Sequence, residues 1–494
     1  MNPAIFRSYD IRGVACRDLD EGVAGTIGKA FGTILKKGGG DPAPGSVAVG
    51  RDVRESSPSL AQALMQGIIT TGLDVVELGI VPTPLVYFYL YQHQSAGGVV
   101  VTGSHNPPEF NGFKMCRGAH TLYEKEIQEI RKTAEDGAFL ECTKWGMQRG
   151  FDAITPYIDF VGAHFGRLRT SGPMKMPIKI VVDAGNATAA PVAPRLLKTL
   201  GCEVVELYCE PDGRFPHHHP DPTVPANLAD LQSVVRETKS DLGVAYDGDA
   251  DRLGVVDEEG EIVWGDRLLI LYARQVLREK AGATCIGDVK CSQLFFDEVK
   301  ARGGVPLMWR TGHSLIKAKM RETGALLAGE MSGHFFFADR YYGFDDAMYA
   351  TCRLLEILDS ARDEDPEVRL SHLFKDLPRW VSTPEIRIFC PEEDKHAIVH
   401  RLAERMVSLL DRGAIPAELR EGGKGVVTLD GLRLAGRHGW GLIRASNTEP
   451  ALILRYEAAD HALMNRYRSF IEGILAEISE DSGLRIDETH RIQD

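Results

Sequence analysis

Thr102–Lys114, TGSHNPPEFNGFK, places a serine between a glycine and a histidine directly after the apolar run Val99-Val100-Val101. A buried strand ending in a tight polar turn is where an α/β protein presents a nucleophile. Gly103 permits the sharp turn, and Pro107 and Pro108 stop the segment from continuing as a helix. Ser104 is therefore a candidate nucleophile, with His105 and Lys114 close enough in sequence to serve it. The same residue types also build ordinary surface turns, so the rest of the chain must decide the matter.

Asp247, Asp249 and Asp251 alternate with Gly248 and Ala250 in DGDADR. In an extended segment alternate side chains share a face, which predicts that the three carboxylates converge. Such a cluster repels itself unless a hard cation sits in it. The spacing imitates the start of an EF-hand loop, with Glu258 at the twelfth position. Arg252, however, stands where that loop requires glycine, and the flanks LGVAY and LGVVD read as strands. Three aspartates leave a site open to a further ligand, which suits Mg²⁺. The run His217-His218-His219 lies on a proline-rich turn without a second ligand cluster of matching spacing. It reads as a loop element rather than a zinc site.

Two further loops carry polar chemistry. RASNTEP, Arg444–Pro450, offers a guanidinium, hydroxyls and an amide, with Arg455 on the strand after it. Fork-shaped arginine donors with hydroxyls suit a phosphate oxyanion, although Ser, Asn and Thr also form common caps and turns. GEMSGH, Gly329–His334, supplies Glu330 and Ser332, which suit sugar hydroxyls. Arg310-Thr311-Gly312-His313 and Asp288-Val289-Lys290 lie at other predicted strand ends.

The elements that must position these loops repeat. Val47–Asp52, a helix from Ser57 to about Thr71, and Asp74–Leu78 form one strand–helix–strand unit. Ile178–Val182, a helix around Pro191–Leu200, and Glu203–Leu207 form a second. Cys285–Asp288, a helix from Ser292 to about Arg302, and Val305–Trp309 form a weaker third. Each copy continues to a further strand, GGVVV, DLGVAY or GALLA, ending respectively in TGSHNP, DGDADR or GEMSGH. Ligands in doubly wound sheets sit beyond the carboxyl ends of the strands. Three such ends with three different loops predict one cleft shared by three domains. After Pro384 short strands alternate with turns, with a helix at about Asp394–Leu410 and another at about His461–Glu480, an α+β pattern. The fold expected is three repeated mixed-sheet α/β domains plus a C-terminal α+β domain around one central cleft. Their boundaries fall at 1–155, 156–261, 262–376 and 377–494.

The bulk properties agree. A chain of 494 residues exceeds one core, and 44% apolar with 26% charged residues is a globular composition. A formal charge of −13 argues against a nucleic-acid partner. Nine scattered cysteines without a CxxC pair favour reduced thiols. The amino terminus lacks the apolar centre of a signal peptide, and no apolar run is long enough to span a bilayer. A cytoplasmic protein is expected.

Taken in order, YDIRG (Tyr9–Gly13), TGSHNPPEFNGFK, DGDADR, GEMSGH and RASNTEP resemble the motifs of the α-D-phosphohexomutase family, in particular its bacterial phosphomannomutase/phosphoglucomutase branch. The resemblance covers essentially the whole chain. It implies four domains and a phosphoryl transfer between O1 and O6 of a hexose through a 1,6-bisphosphate, with mannose or glucose as the sugar. Ser104 is then the phosphoserine, and Asp247, Asp249 and Asp251 hold Mg²⁺ against it. His105 and Lys114 share charge stabilisation and proton transfer, with the choice between them open. Glu330 and Ser332 grip sugar hydroxyls, and Arg444, Ser446, Asn447 and Thr448 hold the distal phosphate. Tyr9, Arg12, Arg252, Lys290, His313, His334 and Arg455 match further cleft positions. A phosphosugar is the implied partner, and the chain a monomer or weak homodimer. A phosphoglucosamine mutase, a metal-assisted sugar phosphatase and a silent sugar-phosphate sensor are the competing readings.

Overall fold

The computed structural model describes residues 1–38, 45–140, 142–166, 177–420, 422, 425–446 and 450–481. It forms two compact units: Met1–Val276 with Gly312–Leu373, and Leu277–Thr311 with the chain from Phe374 onward.

The first unit is built on mixed sheets. In one, Ser46–Arg51, Asp74–Ile80 and Gly97–Val101 run parallel, as the strand–helix–strand pattern requires. Phe110–Arg117 then returns antiparallel along Gly97–Val101, and Ile11–Val14 adds antiparallel to its other side. Gly97–Val101 is buried along its whole length, which is why GGVVV shows no polar alternation. Helix Glu21–Lys37, capped by the Asp20 carboxylate accepting from the Val23 amide, packs on helix Ser57–Thr70. Gly28 makes that approach possible, since a Cβ there would lie 2.2 Å from the Leu64 carbonyl oxygen.

A second sheet in this unit orders its strands as Ile262–Val263, Leu253–Asp257, Leu242–Tyr246, Lys179–Asp183 and Glu203–Leu207. The last three are parallel and the first two join antiparallel. Leu327–Gly329 pairs antiparallel with Phe335–Phe337, so GEMSGH is a hairpin connection.

In the second unit Thr284–Asp288 and Val305–Trp309 pair in parallel with helix Gln293–Ala301 between them in sequence. Its other sheet is antiparallel, with Ala451–Ala458 paired to Gly439–Ala445, Ile386–Phe389 and Val381–Ser382. Gly439–Ala445 pairs in turn with Leu432–Ala435, which pairs with Gly425–Val427. Helices Lys395–Asp411 and His461–Asp481 supply the apolar side chains packed on this sheet. Buried Arg433 joins the two parts of this unit, donating to the carbonyls of Val289 and Cys291 while lying 3.8 Å over the Trp440 ring. No described helix is long and apolar enough to cross a membrane.

Candidate active site

Ser104 follows strand Gly97–Val101, is 1% exposed and holds a left-handed backbone with φ of 49°. Its Oγ donates to Asp247 Oδ2 at 2.9 Å and lies 3.1 Å from His105 Nδ1. The aspartates reach it from strand Leu242–Tyr246 of the next sheet. A Cβ on Gly248 would come within 2.2 Å of the Ser104 carbonyl oxygen, so the aspartate turn can close on the serine loop only with glycine there.

All three aspartates are fully buried, and their ligand atoms lie within 4.8 Å of one another. The route to this convergence differs from the expected one. Residues 247–252 form a turn, with Ala250 left-handed at φ of 56°, so the carboxylates meet by chain reversal and not by alternation along a strand. Asp247 Oδ1 accepts the amides of Asp251 and Arg252, which fixes the turn. Asp249 Oδ2 accepts Lys114 Nζ at 2.6 Å and the Thr83 hydroxyl, while Lys114 also donates to Asp251. Lys114 lies on strand Phe110–Arg117, opposite Val100 of strand Gly97–Val101.

Burial and the charges of Asp251 and Asp249 push the Asp247 carboxyl well above the usual range. For Asp249 burial acts in the same direction, but the Lys114 ammonium outweighs it and holds this carboxyl low. Burial, together with the Arg252 and Arg12 charges, pushes the His105 imidazole well below its usual range. Asp249 Oδ1 and Asp251 Oδ1 are buried without a hydrogen-bond partner. Asp251 Oδ1 lies 3.5 Å from His334 Nδ1. Two buried carboxylate oxygens without hydrogen bonds, beside a third carboxylate and a hydroxyl, are a donor set that fits a hard divalent cation.

Around this centre the first unit gathers more of the expected residues. Arg252 Nε donates to His334 Nε2 at 3.1 Å. His334 stacks on His313 at 5.8 Å, and Tyr9 meets His313 edge-on at 5.1 Å. Glu330 accepts the Gly312 amide at 2.6 Å and the Ser332 hydroxyl at 3.5 Å. Arg12 donates to Asp10 and to the Asn106 side chain, joining YDIRG to the serine loop.

In the second unit Lys290 Nζ pairs with Glu385 at 2.6 Å, and Arg455 donates to the Lys290 carbonyl. Arg444 Nε donates to Asp430 at 3.1 Å, and the Ser446 amide donates to the Ala451 carbonyl. Asn447 and Thr448 lie outside the described residues. The histidines of the 217–219 run face three different partners: Asn186, Asp183 and the His105 carbonyl.

Sequence reasoning missed Thr83, Asp345 and Arg54. Asp345 stands 3.3 Å from His334, 3.5 Å from His313 and 2.9 Å from Lys317, so it holds the imidazole pair from behind. Nothing local in YGFDDA distinguishes Asp345 from Asp346.

A hydroxyl set against a buried acidic triad and a lysine is apparatus for metal-assisted phosphoryl transfer. Family models of phosphoglucomutase/phosphomannomutase match the chain as α/β/α domain I over residues 3–141, domain II over 155–260, domain III over 264–379 and the C-terminal domain over 385–474. The phosphomannomutase/phosphoglucomutase of Pseudomonas aeruginosa is 43% identical over 98% of this chain and 97% of its own. The phosphoglucomutase of Neisseria gonorrhoeae is 42% identical over 95% and 96%. A crystal structure of a phosphoglucomutase/phosphomannomutase family protein from Burkholderia thailandensis has a TM-score of 0.85 at 42% identity, covering 98% of this chain and 99% of that one. The chain belongs to the α-D-phosphohexomutase family, with its four-domain α/β architecture.

Proposed function

We propose that Ser104 is the group through which this hexose-phosphate mutase moves phosphate between O1 and O6 of mannose or glucose. The observation that carries this reading is the Ser104 Oγ, 2.9 Å from Asp247 within a triad that has two buried oxygens without hydrogen bonds. In the first half-reaction a hexose monophosphate hydroxyl attacks the phosphorus of phosphoserine. The new O–P bond forms, the Ser104 O–P bond breaks, the sugar hydroxyl's proton ends on the freed Ser104 Oγ, and the product is a hexose 1,6-bisphosphate. After the bisphosphate turns over, Ser104 Oγ attacks the other phosphate, that sugar O–P bond breaks, and the isomeric monophosphate leaves with its freed oxygen protonated. Ser104 sheds a proton in that step, and His105 Nδ1 lies 3.1 Å from its Oγ.

Ser104, Asp247, Asp249 and Asp251 would hold Mg²⁺, which when bound supplies charge neutralisation at the transferring phosphoryl group. Lys114 and Arg252 add positive charge at the same place. Glu330 and Ser332 orient sugar hydroxyls, with Tyr9, Arg12, His313 and His334 lining the site. Arg444, Ser446, Asn447 and Thr448, with Lys290 and Arg455, hold the non-reacting phosphate. A near-symmetric bisphosphate lets one sugar grip and one phosphate loop serve both orientations. We assign the four domains to 1–155, 156–261, 262–376 and 377–494.

The test offers mannose 1-phosphate and glucose 1-phosphate separately, with Mg²⁺ and a trace of hexose 1,6-bisphosphate, while inorganic phosphate is followed in the same tube. Isomerisation to the 6-phosphate with little phosphate released is expected. Stoichiometric phosphate release would instead identify a phosphatase.

A further inference from the structure

The loop presenting Ser104 is held from behind by a side chain that the phosphoryl chemistry does not employ. Arg54, just after strand Ser46–Arg51, is fully buried. Its Nη2 donates to the Ser104 carbonyl at 2.7 Å and to the Asn106 carbonyl at 2.6 Å. Its Nη1 donates to the carbonyls of Pro107 and Phe110, the latter at 3.1 Å. His219 Nε2 donates to the His105 carbonyl. Four consecutive carbonyls, Ser104 to Pro107, are thus each held by a side chain. Asp52 completes the brace: its Oδ2 accepts Arg54 Nε at 3.0 Å and the Gly103 amide at 3.1 Å. A Cβ on Gly103 would lie 2.6 Å from the guanidinium carbon, so glycine lets the loop settle onto Arg54.

We propose that Arg54 is a positioning residue for the phosphoryl transfer, holding Ser104 in its left-handed backbone so that one Oγ position serves both half-reactions. The inference rests on Ser104 as the phosphoryl carrier. A serine at φ of 49° persists only where its surroundings over-determine it. The planar guanidinium fork fixes several acceptors in one geometry, which a lysine ammonium cannot do. Asp52 compensates the Arg54 charge locally, so the brace acts through geometry rather than through charge delivered to substrate. A buried ion pair is weak support for stability alone. Here it spends its donors on the one loop that must work twice in each turnover.

The test compares wild type with Arg54→Met, Arg54→Lys and Asp52→Asn. Each enzyme is loaded with radiolabelled hexose 1,6-bisphosphate, and the labelled Ser104 is counted. The kcat is then expressed per labelled serine, which removes any unfolded fraction, and KM is measured alongside. In Arg54→Met the normalised kcat should fall by about 10- to 100-fold, the loss expected from a misplaced reacting atom, with KM within twofold of wild type. Arg54→Lys should fall between the two, and the ³¹P resonance of the phosphoserine should shift in both. A wild-type normalised kcat in Arg54→Met overturns the inference. If that variant does not fold, wild-type values in both Arg54→Lys and Asp52→Asn overturn it. A parallel rise in KM does so as well, because it would place Arg54 in substrate binding. A wild-type enzyme that takes no label overturns the phosphoserine reading and this inference with it, whereas normal labelling with unchanged variants overturns this inference alone.

Discussion

Lys114 Nζ sits 2.6 Å from Asp249 Oδ2, and the two side chains are 4% and 0% exposed. Burial alone would discharge both groups, yet each holds the other ionised, and Asp251 shares the same ammonium. The centre around Ser104 therefore contains a fixed positive charge independent of any cation. Lys114→Met leaves two buried carboxylates facing each other without it. Its kcat should drop by about 10²- to 10³-fold, the scale of losing one preorganised charge at a transferring group. Calorimetric Mg²⁺ binding should persist in the same variant, since the carboxylates remain. Steady-state rates equal to wild type would show that Lys114 is only a structural counter-ion.

Ser104→Ala removes the oxygen proposed to carry phosphate while changing little volume at a side chain that is 1% exposed. Intact-mass analysis should find no covalent phosphate after incubation with hexose 1,6-bisphosphate, and turnover should vanish. Ordinary turnover in this variant would dismiss the covalent mechanism.

Asp249→Asn keeps the shape and the Thr83 contact but removes the charge that faces Lys114. The expected result is a lower kcat with a raised Mg²⁺ requirement and an unchanged far-ultraviolet circular dichroism spectrum. A wild-type dependence of rate on Mg²⁺ concentration would remove Asp249 from the metal site.

The centre was legible in sequence where its residues are contiguous. Ser104 with His105, and Asp247 with Asp249 and Asp251, each announce themselves within six residues. What escaped was set by tertiary approach. Thr83 meets Asp249 across 166 positions and Arg54 meets Ser104 across 50, and neither carries a local mark. Helix Thr83–Gln92 is apolar on almost every face, so its periodicity is hidden although it delivers Thr83 to the acidic turn. The parallel strand–helix–strand units were readable from the switch of period. The antiparallel strand Phe110–Arg117 was not, because it begins inside a segment whose Gly, Pro and Asn residues read as loop.

Arg444→Ala tests the assignment of the distal phosphate. Arg444 is 4% exposed at the end of strand Gly439–Ala445, where Asp430 orients its Nε. Loss of a contact made equally in ground and transition states should raise KM for the hexose monophosphate and leave kcat nearly intact. An unchanged KM would exclude this residue from phosphate binding.

Glu385 provides a pH test within the second unit. Its carboxylate accepts Lys290 Nζ at 2.6 Å and lies 3.7 Å from Arg387. Burial alone would raise its pKa, but Lys290 and then Arg387 outweigh burial and bring it from 4.5 to about 2. Because the folded value lies below the unfolded one, the native state binds fewer protons in this window. The pair therefore stabilises the fold fully above pH 4.5, and this contribution drains away as pH falls towards 2. Glu385→Gln abolishes the titration, so the stability difference between wild type and variant should shrink across that window by on the order of 2–3 kcal/mol. Amide exchange in strand Ala451–Ala458, which pairs with Ile386–Phe389, reports this unit directly. A difference that stays constant from pH 5 to pH 2 would mean that Lys290 does not hold Glu385 ionised in the folded protein.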